Sequence, residues 1–248
     1  MRAVKKVIER VTRWAIGVAL FPVLWSLGHR LSEMAPLVAA EGVRSWWLYA
    51  AGALSYLVLE RVTARPMWLY VVGHELTHAA SGLLSGARIY SLRAGSHGGE
   101  VELSKSNGFI ALSPYVVPFY TVLVIGLYAA ARKWWNPPWV YPTFQLLLGV
   151  SLAFHFSHTW SALHSRQTDL KIMGFFLSGV LVALGNILIL GLLGVSLFTR
   201  TPTLRVFAVK TARETGMIWT KGLKICRSEV KRFNPASPAG ASQPKDFR

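Results

Sequence analysis

Acidic residues are scarce in this chain: 11 Asp and Glu stand against 27 Lys and Arg in 248 residues, and only 15% of positions are charged. A soluble domain of this length carries about 25%, so an ordinary water-facing globule is excluded. Cysteine is nearly absent. The single Cys226 rules out an internal disulfide framework and any multi-cysteine metal site. No internal repeat is visible, and no RNA- or DNA-binding motif accompanies the net charge of +16. Nucleic acid is therefore not an expected partner.

What is present instead is apolar sequence, 52% hydrophobic with ten tryptophans. Apolar runs cover residues 14–28, 46–60, 67–85, 108–131, 143–163 and 172–198. Several approach the ~20 residues that cross a bilayer as a helix. The expected fold is an all-α integral membrane protein of about six transmembrane helices. The first two runs are short, so each is a tilted span or half of a re-entrant hairpin. No small-residue cleavage site follows "WAIGVALFPVLWSL", so the first run is expected to stay as an anchor.

The positive charge collects at the ends. Five Lys/Arg lie in the first thirteen residues, and eleven lie from Arg200 onward against three acids. Basic ends of this kind sit on the cytoplasmic face and attract anionic lipids. With both termini inside, six crossings close the count. Arg61, Arg65, Arg132 and Lys133 then lie inside, and the loop around Asp169 shares the outer side with the segment after the third run. That segment, "GARIYSLRAGSHGGEVELSKSNG", holds two short alternating stretches around a glycine-rich turn, the pattern of a β-hairpin. Beyond Arg200, "TLRVFAVKTARETGMIWTKGLKICRSEVKRF" suits a helix lying along the membrane surface, and "NPASPAGASQPKDFR" has the composition of a disordered tail. Three regions follow: a basic segment with two short membrane runs at 1–65, a membrane core at 66–199, and a basic amphipathic segment with its tail at 200–248.

The core carries the chemistry. "VVGHELTHAASG" contains His-Glu-x-x-His inside an apolar run. On a helix, His74 and His78 fall on one face, where two imidazoles can hold one tetrahedral ion. Glu75 beside them can take a proton from water activated by that ion. A charge at mid-bilayer costs about 2.5–3.5 kcal/mol by insertion scales, which favours function over accident. The competing interpretation pairs Glu75 with a histidine merely to fix helix packing.

Zinc needs a third protein ligand. The metzincin extension is absent, because Ser81 and Leu84 stand where it requires glycine and histidine. Asp169 is the only acid between Glu102 and Glu214. It is either that ligand or a solvated loop acid paired with Arg166 or Lys171. His155 and His158, three apart on the fifth run, share a face and are rivals for direct ligation, support of the site or plain packing. Asn107 and Asn186 are candidates for substrate backbone contacts or interhelical hydrogen bonds. Pro114 and Pro118 are expected to kink or break the fourth helix.

These motifs resemble the site-2 proteases, zinc metalloproteases that cut inside the membrane, over roughly residues 66–198. The resemblance implies one Zn2+ per chain on His74 and His78, Glu75 as the catalytic general base, and a re-entrant β-loop that presents substrate. The family's second motif is an aspartate on a later helix, commonly followed at once by glycine. Here Leu170 follows Asp169 and the glycine comes at Gly174, a pattern similar to small divergent members without a PDZ domain. By resemblance Asp169 is the third ligand. The function so implied is zinc-dependent hydrolysis of peptide bonds in or near transmembrane segments of membrane proteins; the chain's size and basic ends suit a bacterial or archaeal plasma membrane. The alternatives are a non-proteolytic zinc-binding membrane protein, as scaffold or ion handler, and a membrane zincin with a glutamate third ligand cutting soluble or lipidated peptides.

Overall fold

The computed structural model describes residues 2–40, 43–63, 65–95, 98–135, 137–165, 167–198 and 204–233. It is mostly helical, with one two-stranded antiparallel sheet. In order come α1 (Arg2–Ala19), α2 (Phe21–Ala40), α3 (Val43–Val62), α4 (Met67–Leu84), β1 (Ile89–Gly95), β2 (Gly98–Leu103), α5 (Gly108–Val116), α6 (Phe119–Trp134), α7 (Val140–His164), α8 (Asp169–Met173), α9 (Phe175–Phe198) and α10 (Leu204–Phe233). The tail after residue 233 lies outside the described residues, as do the hairpin turn at 96–97 and Arg166.

Among the described residues, three helical stretches are long and apolar enough to cross a membrane: Val4–Pro36, Val140–His164 and Phe175–Leu197. A fourth is added if α5 and α6, bent by 67° at their junction, count as one broken span. The first stretch runs through α1 and α2, because Leu20 and Leu24 keep helical hydrogen bonds across the turn between them. The run expected at 14–28 is therefore the middle of a longer helical segment. Neither α3 nor α4 meets the length and apolarity of a span. The reason is local: α3 carries Glu60 and Arg61, and α4 gives up positions to His74, Glu75, Thr77 and His78. The residues that equip α4 for chemistry also lower its apolarity.

The expected break in the fourth run falls at Val117–Pro118. Val117 is extended (φ −86°, ψ 112°) and Pro118 opens α6, as the clash of a proline ring with the preceding residue requires. The helices pack closely where small residues allow it. At the α3–α7 crossing, a side-chain carbon on Gly52 would lie 2.1 Å from the Leu146 carbonyl oxygen, and one on Gly149 would lie 2.0 Å from that of Tyr49. Only bare backbone fits there, the usual device for bringing helices together in lipid.

The hairpin pairs Leu92 with Val101 and Arg93 with Glu100, with an irregularity between Ile89 and Ser91. It rests on α4. Gly82 of α4 faces Leu103, and Gly99 of β2 meets Val71 and Glu75. Beneath the chemistry lies a core of Leu112, Tyr115, Ala162, Leu170 and Val182, contributed by α5, α7, α8 and α9. A second core, of Leu27, Met34, Val195 and Phe207, joins α2, α9 and α10.

Candidate metal centre

Four residues apart on α4, His74 and His78 do share a face, with ring centroids 4.7 Å apart and planes at 85°. Their Nε2 atoms converge on one oxygen of Asp169: His74 Nε2 is 3.4 Å and His78 Nε2 3.5 Å from Asp169 Oδ2. Ligand atoms from these three residues all lie within 4.8 Å of one another. Among the described residues, they are the only group of three or more metal-binding side chains so placed.

Short-range order aims each ligand. Asn107 caps α5, its Oδ1 accepting from the Ile110 N–H at 2.9 Å. That start sets the first turn of α5 against α4, where the Ile110 carbonyl accepts from His78 Nδ1 at 2.9 Å. With the proton fixed on Nδ1, His78 presents the Nε2 lone pair to the site. Ser113 of α5 and Ser81 of α4 join hydroxyls at 2.8 Å and hold the same two helices together.

Asp169 opens α8 and is brought over α4 by the packing of Leu170, which is 2% exposed, into the core beneath. Gly174, with φ +82°, ends α8 and lets the chain turn into α9. This is the left-handed backbone that favours glycine. Tyr115, fully buried, donates its hydroxyl to Asp169 Oδ2 at 2.9 Å. Burial alone would raise the Asp169 carboxyl, but the His74 and His78 rings beside it and the Tyr115 hydroxyl that donates to it outweigh burial and hold the group well below the ordinary carboxylate range. No lysine or arginine pairs with Asp169 among the described residues.

Glu75, 8% exposed, lies between this cluster and the hairpin. Gly99 is the point of contact: a Cβ there would come within 2.6 Å of Glu75 Cγ. Hairpin and Asp169 thus lie beside the same helix, α4.

The remaining sequence candidates stand outside the ligand cluster. His155 Nε2 lies 3.0 Å from Asn186 Oδ1, and the Asn186 amide donates to the carbonyls of Tyr115 and Val182, each at 2.8 Å. His155 and Asn186 therefore hold the backbone of the residue whose hydroxyl holds Asp169. His158 stacks on Tyr70 at 4.8 Å and meets the Tyr56 hydroxyl at 3.2 Å. Asn107 is exposed at the surface, its carbonyl oxygen used as the α5 cap.

Sequence reasoning passed over Tyr115, Tyr70 and Gly99. Tyr70 carried a legible sign, four residues before His74 on the same helix face. Tyr115 and Gly99 carried none, since only the folded chain brings them to the site. Glu60 was also missed. Its carboxylate accepts from Ser157 and meets Arg65 Nε at 3.1 Å, remote from the metal cluster.

The donor set suits zinc. Two imidazole nitrogens and a carboxylate oxygen converge, and His78 Nδ1 is engaged by a backbone carbonyl, so His74, His78 and Asp169 are the residues that would hold such an ion. No protein-family model, no curated protein and no solved structure matches the chain, so function is argued from this centre alone.

Proposed function

We propose that the chain is a zinc-dependent intramembrane endopeptidase of the site-2 protease kind. The observation that carries the proposal is the meeting of His74 Nε2, His78 Nε2 and Asp169 Oδ2 beside a buried Glu75, in a chain with three other helical stretches, among the described residues, apolar enough to cross a membrane. Zinc held by these three residues would supply Lewis acidity and make a water nucleophilic near neutral pH. Glu75 accepts the proton of the attacking water and returns it to the leaving nitrogen. No serine or cysteine nucleophile is needed.

The hairpin gives the substrate a place. A transmembrane helix shields its own peptide bonds, so it must unwind before cleavage. An unwound stretch can add to a hairpin edge as a further strand, and β2 reaches the site directly through Gly99. In this arrangement α3 and α4 cross the bilayer within the bundle, completing six crossings despite their polar residues. Both termini then face the cytoplasm of a prokaryotic plasma membrane. There α1 and α10 meet anionic lipid with their basic faces.

Glu75→Gln tests the reaction. General-base removal lowers a rate by roughly 10²–10⁴-fold, so cleavage of co-expressed reporters with transmembrane segments is expected to fall that far while zinc content holds. If wild type and variant both leave every reporter intact and both keep zinc, the chain is a non-proteolytic zinc-binding protein instead.

A further inference from the structure

The two histidines are supported unequally. His78 spends Nδ1 on the Ile110 carbonyl, but His74 Nδ1 is sealed from solvent with no hydrogen-bond partner among the described residues. A second orphan lies one helical turn away. The Tyr70 hydroxyl is equally sealed and unpartnered, and its ring is 5.4 Å from that of His74. A buried donor without a partner costs about 1–3 kcal/mol, and two such atoms on adjacent turns call for one explanation.

Both residues line the same small cavity, of about 20 Å³, between α4, α6 and α7. A space of roughly 10–15 Å³ admits one water if two to four polar groups receive it. The other polar walls have already spent their hydroxyl protons. Thr77 donates to the Gly73 carbonyl at 2.6 Å, Tyr120 to the Leu69 carbonyl at 2.6 Å, and Ser151 to the Leu148 carbonyl at 3.1 Å. Thr77 and Ser151 keep lone pairs that can accept. His155 also lines the cavity, its Nε2 engaged by Asn186. Two donors with no acceptor, and two acceptors with lone pairs to spare, match the valence of a single water.

We propose that this cavity is a one-water site that bridges His74 Nδ1–H to the Tyr70 hydroxyl, making Tyr70 the positioning residue for the first metal ligand. The proposal rests on the zinc centre described above. A histidine that coordinates through Nε2 must carry its proton on Nδ1, and that proton needs an acceptor to fix tautomer and ring orientation. Backbone supplies it for His78. For His74 the acceptor is the water, held in turn by Tyr70. The Tyr70 ring is itself clamped, stacked on His158 at 4.8 Å and 11°. This gives His158 a purpose outside ligation: it keeps the Tyr70 hydroxyl at the cavity.

The test is a competition titration of Zn2+ into the purified full chain, wild type beside Tyr70→Phe. The substitution keeps the stacked ring and removes one oxygen. Loss of such outer support weakens metal binding by about 10–100-fold, and a loss in that range with unchanged thermal unfolding is expected. The same titration on wild type separates the two claims. If wild type takes up no zinc, the centre itself fails and the inference falls with it. If wild type binds zinc and Tyr70→Phe binds it equally well, the centre stands and the inference is overturned. Should the variant not fold, wild-type protein decides by nitrogen-15 NMR of the histidine rings. A protected His74 Nδ1–H with a cross-peak to water supports the bridge, whereas a rapidly exchanging Nδ1–H or a direct contact to Tyr70 rejects it.

Discussion

Two clusters in this molecule set histidine against a carboxylate and differ in what else reaches that carboxylate. Between α2 and α10, His29 and Arg30 face Glu214, with His29 Nδ1 2.8 Å and Arg30 Nε 3.0 Å from its carboxylate, and Glu33 at 2.6 Å from Arg30. Between α4 and α8, His74 and His78 face Asp169. The first cluster has one imidazole and a guanidinium at its carboxylate, and the second has two imidazoles and no guanidinium. Arg30 fills the carboxylate of Glu214 and turns the first cluster into a clasp that fastens α10 to the bundle. Among the described residues, no guanidinium or ammonium reaches Asp169, which meets two imidazole nitrogens and the Tyr115 hydroxyl. An acid and two imidazoles with no arginine among them could hold a metal ion.

The contrast is broken most severely by removing the charge that Arg30 would have answered. Asp169→Asn keeps the shape of the centre and is expected to take zinc content from near one ion per chain to near zero by elemental analysis; retention of most of the metal would mean that a different group is the third ligand. Tyr115→Phe should act less strongly, lowering zinc affinity about 10–100-fold because the carboxylate loses its fixed orientation. A metal-buffered titration measures it. Gly99→Val sharpens the functional side. Its side chain would press on Glu75, and overpacking of this sort costs about 1–3 kcal/mol. Cleavage should drop at least tenfold with zinc content intact, and unchanged turnover would show that the hairpin does not touch the catalytic geometry.

The smallest effect belongs to the clasp. Ion pairs at a surface contribute roughly 0.2–1 kcal/mol, so Glu214→Gln should speed hydrogen exchange along α10 without altering zinc content. The pH dependence has a definite sign. Hydrogen bonding from Arg30, with the nearby charges of Arg30 and His29, holds the Glu214 carboxyl below its ordinary value. A depressed acid contributes stability above its unfolded value of about 4.3. That contribution is lost as pH falls through the lower, folded value. Protection of the α10 amides, corrected for the intrinsic exchange rate at each pH, should therefore fall on acidification of wild type and stay flatter in the variant.

Much of this site was legible before folding, for reasons particular to its residues. His74, Glu75 and His78 lie within one helical turn, so spacing alone places them together. The hairpin and the break at Pro118 follow from local backbone chemistry, which needs no tertiary information. Asp169 stood out because no other acid lies between Glu102 and Glu214. Tyr115 is 54 residues from Asp169, and nothing in "SPYVVPFY" marks one tyrosine for a carboxylate rather than for lipid. Gly99 sits in a glycine-rich turn where each glycine has a local excuse, which hid the one that faces Glu75. The span count was the hardest part to read, because α3 and α4 mix apolar length with the polar residues that serve the interior.

The central claim is that residues 74, 78 and 169 hold one zinc ion beside Glu75. Anomalous scattering at the zinc edge, from crystals of the zinc-loaded full chain, tests it most directly. The expected result is a single peak about 2.0–2.2 Å from both imidazole Nε2 atoms and from an Asp169 oxygen. A peak elsewhere, or none while the three side chains stand apart, would contradict it.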